Sequence, residues 1–177
     1  MSGPITDALV ADHHRLGAWL QQALRGDRDA YVAFRGALLR HIGIEEKLLL
    51  PALRARGIEP TVAGQLRLDH GALAALLVPS PTPAILTEMQ ALLTLHDPLE
   101  EGPGGLYPLA DEALADPSEL LGRISGAPYP PLAVHYDGAR AFAAIERLLA
   151  RARQGRQDSA RAHLQSAPPA AHLPGKR

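Results

Sequence analysis

The sequence predicts an all-α protein: an antiparallel up-down four-helix bundle, then a C-terminal helical extension and a disordered tail. Three observations predict it. Apolar residues recur at spacings of three and four across the N-terminal two-thirds of the chain, the period of amphipathic helices rather than of strands. Ala, Leu, Gly and Pro dominate, aromatics are only 4% and β-branched residues are few, which argues against a β-sandwich or barrel. Connections between the helical segments are short, so consecutive helices pack as antiparallel neighbours.

The first helix is expected from about Pro4 to Leu24, with Pro4 in the first turn, where its missing N–H has no helical partner to lose. Its stripe is Ile5, Leu9, Leu16, Leu20 and Leu24, with His13 filling the gap. After the Gly26-Asp27 turn, a second helix is expected from about Ala30 to Arg56, carrying Phe34, Leu38, His41, Glu45 and Leu48 or Leu49. A third starts near Pro60 and ends before Pro79, with Val62, Leu66, His70, Leu73 and Leu77. The fourth follows Pro79-Ser80-Pro81-Thr82-Pro83, where Thr82 can cap and Pro83 can enter the first turn. Its stripe is Ile85, Met89, Leu92, His96 and Glu100. Pro51 and Pro98 each remove a backbone donor and are expected to kink or end helices two and four. Gly102-Pro103-Gly104-Gly105 then breaks the fourth helix, and Leu106 to Ala115 reads as a further short one. Gly126 to Pro131 reads as a linker and Asp137 to Ala152 as a helix. From about Gln154 the chain is polar and Ala/Pro-rich, the composition of a disordered tail. The expected division is a bundle over residues 1–116, a one-helix extension over 117–153 and a tail over 154–177.

Composition excludes several chemistries. The 177 residues contain no cysteine, which rules out thiolate zinc, iron–sulfur ligation, a cysteine nucleophile and disulfides. A net charge of -1 provides no global field for nucleic acid or anionic membrane, so neither is an expected partner. The N-terminus lacks the pattern of a targeting signal, and no apolar run has the length of a membrane span; a cytoplasmic location is the expectation.

The chain also repeats itself. Asp12-His13-His14-Arg15-Leu16 is echoed by Asp69-His70-Gly71-Ala72-Leu73. His41-Ile42-Gly43-Ile44-Glu45-Glu46, leading to Pro51, is echoed by His96-Asp97-Pro98-Leu99-Glu100-Glu101, leading to Pro108. Two helical hairpins with one polar pattern imply a pseudo-two-fold bundle, each half donating one His and one His-x-x-x-Glu. His13, His41, Glu45, His70, His96 and Glu100 all fall on faces that otherwise carry Leu and Ile. Burying two carboxylates beside four imidazoles is unfavourable unless their charge and lone pairs are compensated, and a bound cation does so directly. Imidazole and carboxylate without thiolate suit iron, manganese, zinc or copper rather than calcium or magnesium. Six side chains exceed what one structural zinc needs and fit two metals bridged by the two carboxylates. Neither the Glu-x-x-His of ferritin-like di-iron proteins nor the His-Glu-x-x-His of zinc proteases is present.

Over roughly residues 5–115 these motifs resemble the hemerythrin-like, or HHE cation-binding, family of non-haem di-iron four-helix bundles. The matching residues are Asp12-His13, His41 through Glu45-Glu46 to Leu50-Pro51, Asp69-His70, and His96 through Glu100-Glu101 to Tyr107-Pro108. The resemblance implies His13, His41, His70 and His96 as nitrogen ligands and Glu45 and Glu100 as bridging carboxylates. It implies two iron ions in an oxo- or hydroxo-bridged centre, in preference to zinc or manganese. The implied function is binding of dioxygen, nitric oxide, peroxide or a related small ligand, in a sensing, redox or iron-handling role. A di-iron peroxidase or oxidase, and a scaffold whose metal only holds the fold, are the alternatives; no catalytic residue is assigned. Oxygen-carrying relatives have a further His one turn after the third-helix ligand, where this chain has Ala74. Its absence implies open coordination positions and a departure from simple oxygen storage.

Neighbouring residues receive plainer readings. His14 points away from His13. Glu46 and Glu101 are read as solvated or as supports for the ligands, with the break near Pro98 able to turn Glu101 inward. Asp12 and Asp69 are read as interhelical surface pairs ahead of hydrogen-bond partners for a ligand imidazole, and Tyr107 as ordinary packing ahead of a hydrogen-bond donor closing the site. His135, His163 and His172 lie outside the bundle. The tail from Arg151 has six basic residues and one acidic, without the interleaved aromatics that base stacking needs.

Overall fold

The structure, a computed structural model, describes residues 2–166. Among them there is no strand, and the chain is all-helical. Helix α1 (Pro4–Leu24) starts with Pro4 in its first turn. The free amides behind it are satisfied from elsewhere: Asp111 accepts from Ile5 N at 2.9 Å and Thr6 N at 3.0 Å. Gly26, at φ 94°, turns the chain, and Asp27 caps α2 (Arg28–Ile44) by accepting from Ala30 N at 3.0 Å. The helical path continues through a π-helical turn (Glu45–Leu49) into α3 (Leu50–Arg54). After a connection come α4 (Ala63–Leu76) and then α5 (Pro83–Glu101), capped by Thr82 as expected. α6 (Leu106–Ala113), α7 (Ser118–Ser125) and α8 (Ala139–Ser166) follow.

Two apolar layers hold these helices together, and each of the first long helices crosses both. One layer contains Leu16, Leu38, Leu73 and Leu92; the other contains Leu9, Ile44 and Leu66, with Leu99 against it. α1 and α4 run from the second layer to the first, and α2 and α5 run back, so successive helices alternate in direction. α8 adds Ile145, Leu149 and Ala152 to the first layer; α6 and α7 add Leu106, Ala110, Leu120 and Ile124 to the second. Between the layers lies a polar level, at His13, His41, His70 and His96.

Just before Pro51 the second helix widens into a π turn, which takes the preceding carbonyls out of the way of the proline ring. Pro98 lies inside α5, and the helix closes three residues later at Glu101. Two expectations need correction. α7 was not expected. The disordered tail assigned from residue 154 is instead helical through Ser166, as the last turns of α8. Arg156 and Gly155 account for its order: Arg156 donates to Asp69 on α4 through both terminal nitrogens at 2.8 Å, and Gly155 packs where a Cβ would strike Gln65 and Leu68. The part of the tail at 167–177, with His172, lies outside the described residues.

No helix among the described residues is long and apolar enough to cross a membrane.

Candidate metal centre

The helices bring all six expected residues to one level. His41 and Glu45 stand one turn apart at the α2–π junction, as His96 and Glu100 do on α5; α1 and α4 supply His13 and His70. Glu45 and Glu100 are fully buried, and His41, His70 and His96 nearly so. The donor atoms form two sets that share both carboxylates: His13, His41, Glu45 and Glu100 make one, and His70, His96, Glu45 and Glu100 the other, each within 4.8 Å.

Each carboxylate divides its oxygens between the sets. Glu45 Oε1 lies 3.2 Å from His41 Nε2, while its Oε2 lies 3.1 Å from His70 Nε2. Glu100 Oε2 lies 3.3 Å from His13 Nε2, while its Oε1 lies 3.0 Å from His96 Nε2 and 3.6 Å from His70 Nε2. All four imidazoles point Nε2 inward.

Their outward Nδ1 atoms meet a second ring of carboxylates. His70 Nδ1 is 2.8 Å from Glu46, His13 Nδ1 is 2.5 Å from Glu101, and His96 Nδ1 is 3.2 Å from Asp69. Asp12 completes the pattern more loosely, 3.6 Å from His41 Nδ1. The pairing follows the internal repeat: each Asp serves the His of its own hairpin, and each outer Glu serves the His of the other. Such partners fix ring orientation and raise imidazole basicity. Asp69 is itself held by Gln65 at 2.7 Å and by Arg156. Asp12 pairs with Arg15 and lies 3.5 Å from Arg40.

Tyr107 occupies the heart of the first set. Its hydroxyl donates to Glu45 Oε1 at 2.5 Å and lies 3.0 Å from Glu100 Oε2, 3.0 Å from His13 Nε2 and 3.1 Å from His41 Nε2. The second set has no such group. There, Glu45 Oε2, Glu100 Oε1 and His70 Nε2 are buried without a hydrogen-bond partner. Converging donors left unpaired in the interior are what a cation would satisfy, so the residues fit a metal. The buried His/Glu cluster can hold a metal ion.

Titration behaviour follows from the crowding. Burial pulls the His70 imidazolium down, but the surrounding carboxylates of Glu100, Glu45 and Glu46 outweigh it and push the pKa up to about 12. For His96, burial is likewise outweighed by the Glu100 charge and the Asp69 hydrogen bond, giving about 9. Glu45 is raised by burial and by Glu100 but held down to about 2 by the histidines, His41 foremost. Tyr107 is pushed well above the usual phenol range by burial and by Glu45 and Glu100. Without metal, protons on imidazole offset the carboxylate charge.

A cavity of about 160 Å³ opens between α1 and α5 and reaches His13 and Asp97. It is the right scale for a few small molecules.

Among the neighbours, His14 is exposed, and His135 sits against Tyr31, away from the cluster. For two residues the less favoured expectation is the one the structure shows: Tyr107 is a hydrogen-bond donor at the centre rather than ordinary packing, and Asp69 is a fully buried partner of His96 rather than a surface pair. Arg156 had no expected role at all. The repeat held a clue to the first: Tyr107-Pro108 stands where the first half has Leu50-Pro51, a hydroxyl where its counterpart has only hydrocarbon. Nothing local marked Arg156, because its partner lies 87 residues away.

No family model, curated protein or solved structure matches the chain.

Proposed function

We propose that α1, α2, α4 and α5 form a hemerythrin-like four-helix bundle that holds a two-metal, di-iron centre. It binds dioxygen or a related small ligand, in a sensing, redox or iron-handling role. One observation carries the reading: Glu45 and Glu100 each offer one oxygen to each of two histidine pairs, the arrangement of bridging carboxylates. His13 and His41 would hold one metal, and His70 and His96 the other. When bound, the metal pair supplies an electron-rich, coordinatively open site for a small ligand.

The chain's own residues do the rest. Glu46, Glu101, Asp69 and Asp12 orient the imidazoles through Nδ1. The apolar layers on either side exclude bulk water, and the cavity of about 160 Å³ beside His13 admits small molecules. Tyr107 holds a proton at its hydroxyl, poised over the first set of donors.

The test is metal analysis of protein produced with iron supplied, then an absorption spectrum in air. The expected result is a ratio near two irons per chain with charge-transfer absorption of a ferric pair. One zinc per chain without such absorption would refute the reading.

A further inference from the structure

We propose that the opening between α1 and α5 is the route by which a divalent cation reaches the buried centre, with Asp97, Glu101 and the Nδ1 edge of His13 forming a transient cation site at its inner end. The inference rests on the metal reading above and adds how the metal arrives.

Three observations carry it. Ligand atoms of His13, Asp97 and Glu101 lie within 4.8 Å of one another, outside the two inner sets. The cavity is lined by His13, Leu16, Gly17, Gln21, Gln90 and Asp97 among others, so two of the trio, His13 and Asp97, meet the opening, with Glu101 behind them against His13 Nδ1. Asp97 Oδ1 is buried with no hydrogen-bond partner. That oxygen is free to take a cation that enters the cavity.

The repeat sharpens the point. Asp97 follows His96, but the residue following His41 is Ile42, which packs against the apolar core. One turn after His13 comes Gly17, while one turn after His70 comes Ala74. Only one side of the centre therefore combines a missing side chain with an added carboxylate. His13 belongs to both sites, with Nδ1 turned to Glu101 and Nε2 turned to the inner donors. A cation at the outer trio is one ring-width from Glu100.

The experiment follows cobalt(II) uptake by the metal-free full chain in stopped flow under anaerobic conditions, with the final stoichiometry measured separately. Asp97→Asn keeps the shape and removes the charge; it should slow uptake by about tenfold, the scale of an electrostatic on-rate effect, and leave the final stoichiometry unchanged. Gly17→Leu should also slow uptake. A Cβ at Gly17 meets nothing within 4 Å and Gly17 lines the opening, so the added side chain should be tolerated and narrow it, with circular dichroism confirming the fold. Glu88→Gln, a carboxylate on α5 paired with Arg153, should leave the rate unchanged. Wild-type rates in both Asp97→Asn and Gly17→Leu, at normal stoichiometry, would overturn the route alone. Slowing by Gly17→Leu but not by Asp97→Asn would overturn the transient site. A wild-type chain that takes up no cobalt would overturn the metal reading and the route with it.

Discussion

Adjacent glutamates in this chain have different jobs, and the difference is one of direction. Glu45 and Glu100 face inward with no exposed surface, whereas Glu46 and Glu101 lie at the rim, against the Nδ1 atoms of His70 and His13. Glu45→Ala and Glu100→Ala each remove a donor from both metal positions and should strip most of the metal. Glu46→Ala and Glu101→Ala remove an orienting partner without touching the inner donors and should weaken metal affinity at equilibrium by about 10–100-fold while leaving a loadable site. Competition titration with a chromophoric chelator separates the two outcomes; equal losses within either pair would show the bridging roles wrongly assigned. Tyr107→Phe probes the same level. In the metal-free chain it deprives two buried carboxylate oxygens of their shared hydroxyl, which should lower stability by about 1–3 kcal/mol, measured by urea unfolding. Ala74→His adds a donor one turn from His70, where α4 is partly buried. It should fill an open position, slow air oxidation of the reduced metal pair and tighten metal retention; unchanged oxidation kinetics would count against the open-position argument.

At the scale of elements, legibility divided along sequence distance. The helices bearing the His/Glu cluster were readable because their apolar stripes, caps and His-x-x-x-Glu spacing are local patterns. The same holds for the six residues of the buried His/Glu cluster, since a histidine on a leucine stripe announces itself. What was missed depends on partners far along the chain. The π turn cannot be seen in the stripe, which shifts by one residue and still looks helical. α7 is only eight residues long, with an apolar face completed by packing against the second layer. The last turns of α8 read as tail because Arg151 to Ser159 is polar and carries little apolar pattern of its own. They are ordered by a charge pair with a fully buried aspartate. Arg156→Gln should therefore leave Asp69 with only His96 and Gln65 as partners and destabilise the protein by about 1–3 kcal/mol. Hydrogen exchange should show α8 opening from residue 152 onward while α1 and α2 stay protected; uniform protection along α8 would mean that the apolar contacts of Ile145 and Leu149 suffice without the arginine.

Across the whole molecule, the centre links folding to both protons and metal. In the metal-free chain the His70 and His96 pKa values lie at about 12 and about 9, above the ordinary 6.5, and those of His13 and His41 are raised as well. A raised folded-state pKa contributes stability that is fully present below the unfolded value and is lost as pH climbs through the folded one. Glu45, held down to about 2, and Glu100, also lowered, act in the opposite sense: their contribution is present above the ordinary 4.5 and fades as pH falls toward 2. The metal-free fold should thus be most stable between these ordinary values, in mildly acidic solution, and weaken progressively from neutral pH through 9. A bound cation replaces the imidazole protons as the partner of Glu45 and Glu100, so the loaded protein should not share the alkaline decline. Thermal unfolding with and without chelator, at about pH 6 and about pH 9.5, tests both statements together, because the gap in Tm between loaded and metal-free protein should widen with pH. Metal uptake near pH 7 should also release protons, which a pH indicator in weak buffer records. A metal-free Tm that stays level or rises between the two pH values would mean that the histidines are not protonated around the carboxylates, and the electrostatic account of the empty centre would fail.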